Sequence, residues 1–418
     1  MSTPAVIALV VAGLILLRLA TELWLARLNR RHVLRHAGEV PEPFREFIDP
    51  PTYARSVEYT LVRRRFNDVA DVWNTVILLA VLFSGVLPWA HERIRNTLGD
   101  SVWAMSAFLV LVGFALSLTG LPFEWHAQFR IEERFGFNTT TPKTWWLDRV
   151  KGWLLGAMLG YPLVALILYV FHWAGEWWWL WAWAVVVAFQ LLLAVLAPVL
   201  ILPLFNKFTP LPEGSLKERL LRLAKRTAFR ARSIQVMDGS RRSRHSNAFF
   251  TGFGRLRKIV LFDTLIAQLT EPELEAVLAH EIGHYKKKHI PRMLAFSVVA
   301  LLAGFGVLAA LAKTTWLYEA FGFSPGCIEA ALLLFGLLSG VVTFWILPIL
   351  HWWSRRHEYE ADAYAASVMN DPAPLISALR KLNEKNLGNL TPHPVYSAFY
   401  YSHPALLERE AALRVKTE

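Results

Sequence analysis

Seven stretches of mainly apolar residues, at approximately 5–26, 69–90, 102–122, 152–173, 177–203, 293–314 and 328–350, leave this chain few possible folds. A run of about 20 such residues is long enough to cross the hydrocarbon core, where the backbone must satisfy its own polar groups by forming a helix. The 418 residues are 55% hydrophobic with a mean hydropathy of +0.34, whereas soluble proteins use roughly 45–50% apolar residues. Buried helices of soluble proteins rarely run this long without charge. The first run lacks a basic leader and a small-residue cleavage site, and Arg18 and Glu22 interrupt it. It is therefore expected to stay as a helix rather than be removed as a signal peptide.

The net charge of +11 belongs to topology rather than to nucleic-acid binding, because the basic residues flank apolar runs instead of forming a stripe. Arg30, Arg31, Arg35, Arg45, Arg55, Arg63, Arg64 and Arg65 crowd the first loop, and Arg130, Arg134, Lys143, Arg149 and Lys151 lie in the third. Lys286, Lys287, Lys288 and Arg292 end the fifth; the even loops hold few cations. By the positive-inside rule, the odd loops and the C-terminus are cytoplasmic and the N-terminus is outside. The Arg-, Leu-, Ala- and Trp-rich composition suggests a bacterial inner membrane. Cys327, the only cysteine, excludes an intrachain disulfide and a cysteine-rich zinc site. The sequence ends in Lys416-Thr417-Glu418, which is not a prenylation acceptor.

Polar material falls at 27–68, 123–151, 204–292 and 351–418. The expected division is residues 1–203 for five membrane helices and their loops, and 204–292 for the first part of a catalytic domain. Residues 293–350 would form two further spans and 351–418 the second part of that domain. Leu216–Phe229 is expected to be a helix, and Ile234–Met237, Ala248–Phe253 and Lys258–Phe262 short strands separated by Gly239, Gly252 and Gly254. Thr270-Glu271-Pro272-Glu273 carries a capping box with proline in the first turn, which starts a helix.

That helix holds His280-Glu281-Ile282-Gly283-His284. Helical spacing puts the two imidazoles side by side, able to take two adjacent positions on one Zn²⁺. Glu281 is rotated away from ligation, placed to take a proton from water whose acidity the metal has raised. Ala279 and Gly283 keep the helix slim. A catalytic zinc needs a third protein ligand and an open position. The metzincin arrangement is excluded, because Lys287 and Ile290 stand where that subclass has glycine and histidine. His289 is expected to point away from the pair, at the membrane surface. The remaining candidates are His357, Glu358, Glu360 and Asp362, among which spacing does not choose. In one helical arrangement Glu358 ligates and Asp362, a turn later, accepts the free N–H of a ligating imidazole.

Together these residues resemble the type I CAAX prenyl proteases, integral-membrane zinc endopeptidases. The likeness covers nearly the whole chain. It rests on the seven runs, on Ile131-Glu132-Glu133-Arg134-Phe135-Gly136-Phe137-Asn138 with Thr141-Pro142 and Asp148, on Ser246–Phe253, on the HEIGH motif, and on Glu358-x-x-x-Asp362. Four separated motifs in order are far more specific than one. The resemblance implies a mainly α fold, seven tilted membrane helices forming a barrel around a water-filled chamber, capped by a cytoplasmic, gluzincin-like zinc-protease domain with a small sheet. A chamber would give Arg18 and Glu22 a place to pair or to face water, with snorkelling of Arg18 as the alternative.

The resemblance further implies His280, His284 and Glu358 as ligands of one zinc per chain and Glu281 as catalytic base. Asn247, Ala248 and Phe249 would lie on an edge strand that pairs with an extended peptide. His403, in Ser402-His403-Pro404, would stabilise the oxyanion, and Arg409 would orient that wall or hold a carboxylate. The implied activity is hydrolysis near the C-terminus of CAAX-type peptides, prenylated or otherwise membrane-associated. Partners would be a peptide or protein, possibly lipidated, and the bilayer, with no nucleic acid. Two rivals remain: a quality-control protease for membrane proteins, and a chamber-forming transporter with a non-catalytic zinc site. The second lacks the paired half-repeats and broken spans common in transporters.

Overall fold

The computed structural model describes residues 2–230, 233–251 and 258–415. Among them, the stretches Thr3–Arg35, Pro50–Phe83, Val102–Glu132, Pro142–Phe205 and His289–Ala312 are long and apolar enough to cross a bilayer. Ile328–Thr343 and Leu347–Met369 meet at a 64° bend and add a sixth if taken together. Polar N-caps fix several starts: Asp49 accepts the Thr52 N–H at 2.6 Å, Ser101 that of Ala104 at 3.2 Å, and Thr141 that of Thr144 at 3.2 Å. Each satisfies a helix-end donor that lipid could not.

Several boundaries differ from the apolar runs. The second run, 69–90, is broken at Ser84-Gly85, where Gly85 has φ 79°, a left-handed conformation that favours glycine. A separate helix, Val86–Leu98, follows it. Pro142–Phe205 is not one rod, because Gly175 turns the chain and the helices Pro142–Ala174 and Trp178–Leu196 come together, with Phe171 and Trp178 5.2 Å apart. Apolarity reports residence in lipid and is blind to such turns. Large side chains such as Leu154 (67% exposed) and Val299 (64%) have no protein cover, the surface expected where acyl chains are the solvent. Arg18 does not snorkel: its Nε donates to Glu22 at 3.0 Å and its Nη1 to the Gly340 carbonyl at 3.1 Å.

The polar half is built around a four-stranded sheet, β1 (Phe208–Pro210), β2 (Ser233–Met237), β3 (Ala248–Thr251) and β4 (Lys258–Phe262). Their order is β1-β2-β4-β3, with β2 and β4 parallel and the outer pairings antiparallel. β1 had no sequence signal, being three residues ending in proline. The expected strand Ala248–Phe253 is described as far as Thr251; Gly252, Phe253 and Gly254 lie outside the described residues. The expected helix over 216–229 runs Ser215–Arg226. One apolar core joins Leu223, Ile259, Leu261 and Ile282 with Ala365 and Leu413, so segments on both sides of the last membrane helices close a single interior.

At its centre the HEIGH helix, Glu271–Lys286, crosses the acidic helix, Leu347–Met369. The crossing is tight. A Cβ on Gly283 would stand 2.9 Å from Ala361 Cα and 3.0 Å from its carbonyl oxygen, both backbone atoms that cannot swing aside. Gly283→Ala is therefore expected to push the helices apart at a cost of about 1–3 kcal/mol, read as a lower melting temperature together with weaker zinc binding. Unchanged melting and zinc affinity would show that the contact is dispensable.

Candidate active site and metal centre

The capping box at Thr270 and Glu273 is formed, with Glu273 accepting the Thr270 N–H at 2.8 Å, and it starts the HEIGH helix in register. Glu273 is held further by Lys381 Nζ at 2.9 Å and Ser377 Oγ at 2.6 Å. Burial raises its carboxyl, but these donors outweigh burial and hold it below the usual carboxylate range.

One turn before the helix ends, His280 and His284 face Glu358 of the acidic helix. The two Nε2 atoms are 3.1 Å apart; His280 Nε2 is 3.5 Å from Glu358 Oε2 and His284 Nε2 3.3 Å from Oε1. A tetrahedron around Zn²⁺ with bonds near 2.0–2.1 Å has edges of roughly 3.3 Å. Three donors of suitable type thus lie one such edge apart. Glu358 is 4% exposed, yet its Oε2 has no aligned hydrogen-bond donor. His403 Nδ1 comes within 2.8 Å of that oxygen without alignment, and Arg409 Nη1 within 3.7 Å. A buried carboxylate oxygen and two converging imidazole lone pairs suit a divalent cation, so this set fits zinc.

The sequence left four residues open as the third ligand, and the helix crossing separates them. Glu358 faces the histidine pair. Asp362 Oδ1, one turn further, lies 2.8 Å from His280 Nδ1. Glu360 projects elsewhere, 3.1 Å from His289 Nε2. His357 stacks on His289 at 4.0 Å.

Arg409, expected to orient the oxyanion wall or to hold a carboxylate, grips the carboxylate of Asp362. Its Nη2 donates to Asp362 Oδ1 at 2.6 Å and its Nε to Oδ2 at 2.8 Å, a bidentate pairing that fixes Asp362 against His280. Burial disfavours a proton on His280, but Asp362 and Glu358 outweigh it and raise its pKa to about 9. Metal therefore has to displace a proton there.

His289 corrects an expectation. Lys288, with φ 59°, reverses the chain after the HEIGH helix, so His289 is turned under the site at 1% exposed instead of lying at the membrane surface. Its Nδ1 is 3.0 Å from His284 Nδ1. With Glu360 accepting from Nε2, Nδ1 is free to accept the His284 Nδ1–H, which leaves His284 Nε2 as the lone pair facing the cluster. Helical spacing alone could not reveal this, because the turn breaks the helix between the two residues.

Glu281 is half-buried. Loss of water pushes its carboxyl above the ordinary value, although the neighbouring imidazoles work in the opposite direction. His403 is 65% exposed by side chain, on the segment after the short helix Pro394–Tyr400. The acidic helix anchors that segment: Arg355 Nη1 donates to the carbonyls of Ala398 (3.1 Å) and Tyr401 (2.6 Å). His351 Nδ1 lies 2.6 Å from the Phe399 carbonyl. Sequence reading passed over both as residues flanking a span.

Asn247 immediately precedes β3, and Ala248 and Phe249 begin it, the outer strand on its side of the described sheet. Asn247 Oδ1 accepts the Ala248 N–H at 2.8 Å, so the side chain folds onto its own strand. β3 runs beside the HEIGH helix, Phe250 and Tyr285 lying 6.3 Å apart. The segment leading into it is tied to the third loop, where Arg242 pairs with Asp148 at 2.8 Å and His245 Nε2 lies 3.1 Å from Glu132 Oε2.

Residues 29–207 match the family model described as the CAAX prenyl protease N-terminal region with five membrane helices, and residues 210–417 match that of peptidase family M48. The chain is 34% identical to the CAAX prenyl protease 1 homolog of Oryza sativa subsp. japonica, covering 92% of each. With CAAX prenyl protease 1 of Saccharomyces cerevisiae identity is 33%, over 98% of this chain and 96% of the relative. The crystal structure of S. mikatae Ste24p superposes with a TM-score of 0.90 at 32% identity, covering 97% of this chain and 98% of that one. With tetrahedrally spaced donors on a HEIGH helix and relatives matching end to end, the chain belongs to peptidase family M48, as a multi-pass membrane zinc metalloprotease of the CAAX prenyl protease type.

Proposed function

We propose that the protein is an endopeptidase that cuts near the C-terminus of CAAX-type membrane-associated peptides, with one zinc per chain held by His280, His284 and Glu358. The observation that carries this reading is the set of three donors, two of them buried, each about one tetrahedral edge from the next, beside a carboxylate with raised proton affinity. Bound zinc would polarise the scissile carbonyl and acidify water. Glu281 accepts the proton of the attacking water and delivers it to the leaving amine. His403 donates to the oxyanion as it forms. Asp362, gripped by Arg409, keeps the His280 ring in its ligating tautomer. The substrate backbone extends along β3, with the Asn247 amide turning from its own strand to the peptide and Ala248 and Phe249 supplying main-chain pairing.

In this reading, segments 204–292 and 351–418 are one catalytic domain, split by 293–350 and preceded by the membrane region 1–203. Counting the halves of Pro142–Phe205 separately gives seven spans around a chamber. Basic loops place the site in the cytoplasm and the N-terminus outside, and composition favours a bacterial inner membrane. A lipidated cysteine on the substrate suits a site at the bilayer surface, and nucleic acid has no role. The test compares a prenylated CAAX peptide, the same peptide without the prenyl group, and an unfolded membrane protein, each incubated with the purified protein. Preferential cleavage of the prenylated peptide is expected. Cleavage of the unfolded protein alone would move the assignment to quality control, and cleavage of none would overturn it.

A further inference from the structure

A second group of metal-binding side chains lies at the other end of the last membrane helix. His91, on Val86–Leu98, Cys327, the N-cap of Ile328–Thr343, and Glu329, in that helix's first turn, each offer a ligand atom, all within 4.8 Å of one another. His91 is 4% and Glu329 8% exposed, inside an otherwise apolar core. Glu358 follows only beyond the 64° bend, so this cluster is separate from the catalytic one.

Burying an imidazole and a carboxylate costs free energy that apolar residues of the same size would not. The His91 ring is held edge-on by Phe108 at 5.3 Å and Phe323 at 5.9 Å, and its Nε2 lies 2.7 Å from Glu329 Oε1. Hydrogen bonding accounts for that pair but not for the thiol beside it. Cys327 and Glu329 border a cavity of about 330 Å³ that is also lined by Asp100, Ser101 and His172. The cavity is polar and roomy enough to admit a hydrated ion and to leave a water as fourth ligand. One sulfur, one nitrogen and one carboxylate oxygen are donor types suited to zinc and poor for magnesium or calcium.

We propose that His91 Nε2, Cys327 Sγ and a Glu329 carboxylate oxygen bind a second, structural zinc ion. Cys327 binds as the thiolate, releasing its proton to solvent. The ion fastens the Val86–Leu98 helix to the start of the last membrane helix, at the end of the bundle away from the peptidase site.

The test counts zinc in the purified full-length chain. Two ions per wild-type chain are expected, one in Cys327→Ser, one in Glu358→Ala, and none in the double variant. Because Cys327 is the only cysteine, cobalt-substituted wild-type protein should show a thiolate-to-cobalt charge-transfer band that Cys327→Ser lacks. A check on the wild type alone removes any dependence on a variant's folding: bound zinc should slow maleimide modification of Cys327 about tenfold or more, and a chelator should restore the rate. One ion per chain in both wild type and Cys327→Ser, or a maleimide rate indifferent to zinc, would overturn the proposal. Glu358→Ala reports on the catalytic site alone, so failure there is distinguishable from failure here.

Discussion

Glu281→Gln is expected to retain the zinc content of the wild type while hydrolysis of a CAAX peptide falls about 10²–10⁴-fold. The amide occupies the same space and leaves His280, His284 and Glu358 in place, so metal binding has no reason to change. What is lost is a half-buried carboxylate next to His280 in the chain, whose proton affinity burial has raised. A carboxylate there can take up a proton; an amide is no base at all. Metal analysis and peptide turnover on the same preparation decide the matter, and undiminished turnover would remove Glu281 from the mechanism.

Glu358→Ala is expected to have the opposite signature, losing zinc and activity together. Two imidazoles 3.1 Å apart remain after truncation, and a site with two protein ligands does not hold a catalytic zinc. Retention should fall by one zinc per chain after dialysis against a weak chelator. Asp362→Asn grades the series, since it keeps every ligand but weakens the acceptor at His280 Nδ1. Loss of such an orienting partner typically costs 10–100-fold in metal affinity. Full zinc retention in Glu358→Ala would return the third-ligand role to one of the other acidic positions.

Much of this was legible in the residues. Apolar run length identifies membrane helices because lipid imposes one requirement on every segment within it, and Thr270 with Glu273 fixes the start of the motif helix by local capping alone. Glu358 was not separable from His357, Glu360 and Asp362 for a different reason. The choice depends on how two helices distant in sequence cross, and that crossing is set by Gly283 against Ala361. His289 was misjudged because a left-handed Lys288, a conformation rare outside glycine, reverses its direction. The break at Gly85, the strand Phe208–Pro210 and the Arg355 cap on the His403 segment all rest on turns or on contacts tens of residues apart. Periodicity carries no record of either.

The bend between Ile328–Thr343 and Leu347–Met369 puts the third donor on a lever hinged at the end of an apolar helix. Leu347 and Glu358 are separated by eleven residues, a helical lever of about 16 Å. A change in tilt of about 10° at the bend would carry Glu358 by about 3 Å, as far as one edge of the donor triangle. The close approach of Gly283 to Ala361 opposes that swing, because it ties the lever to the HEIGH helix. The crossing of the two helices is thus what holds the carboxylate at coordination distance against any movement at the bend.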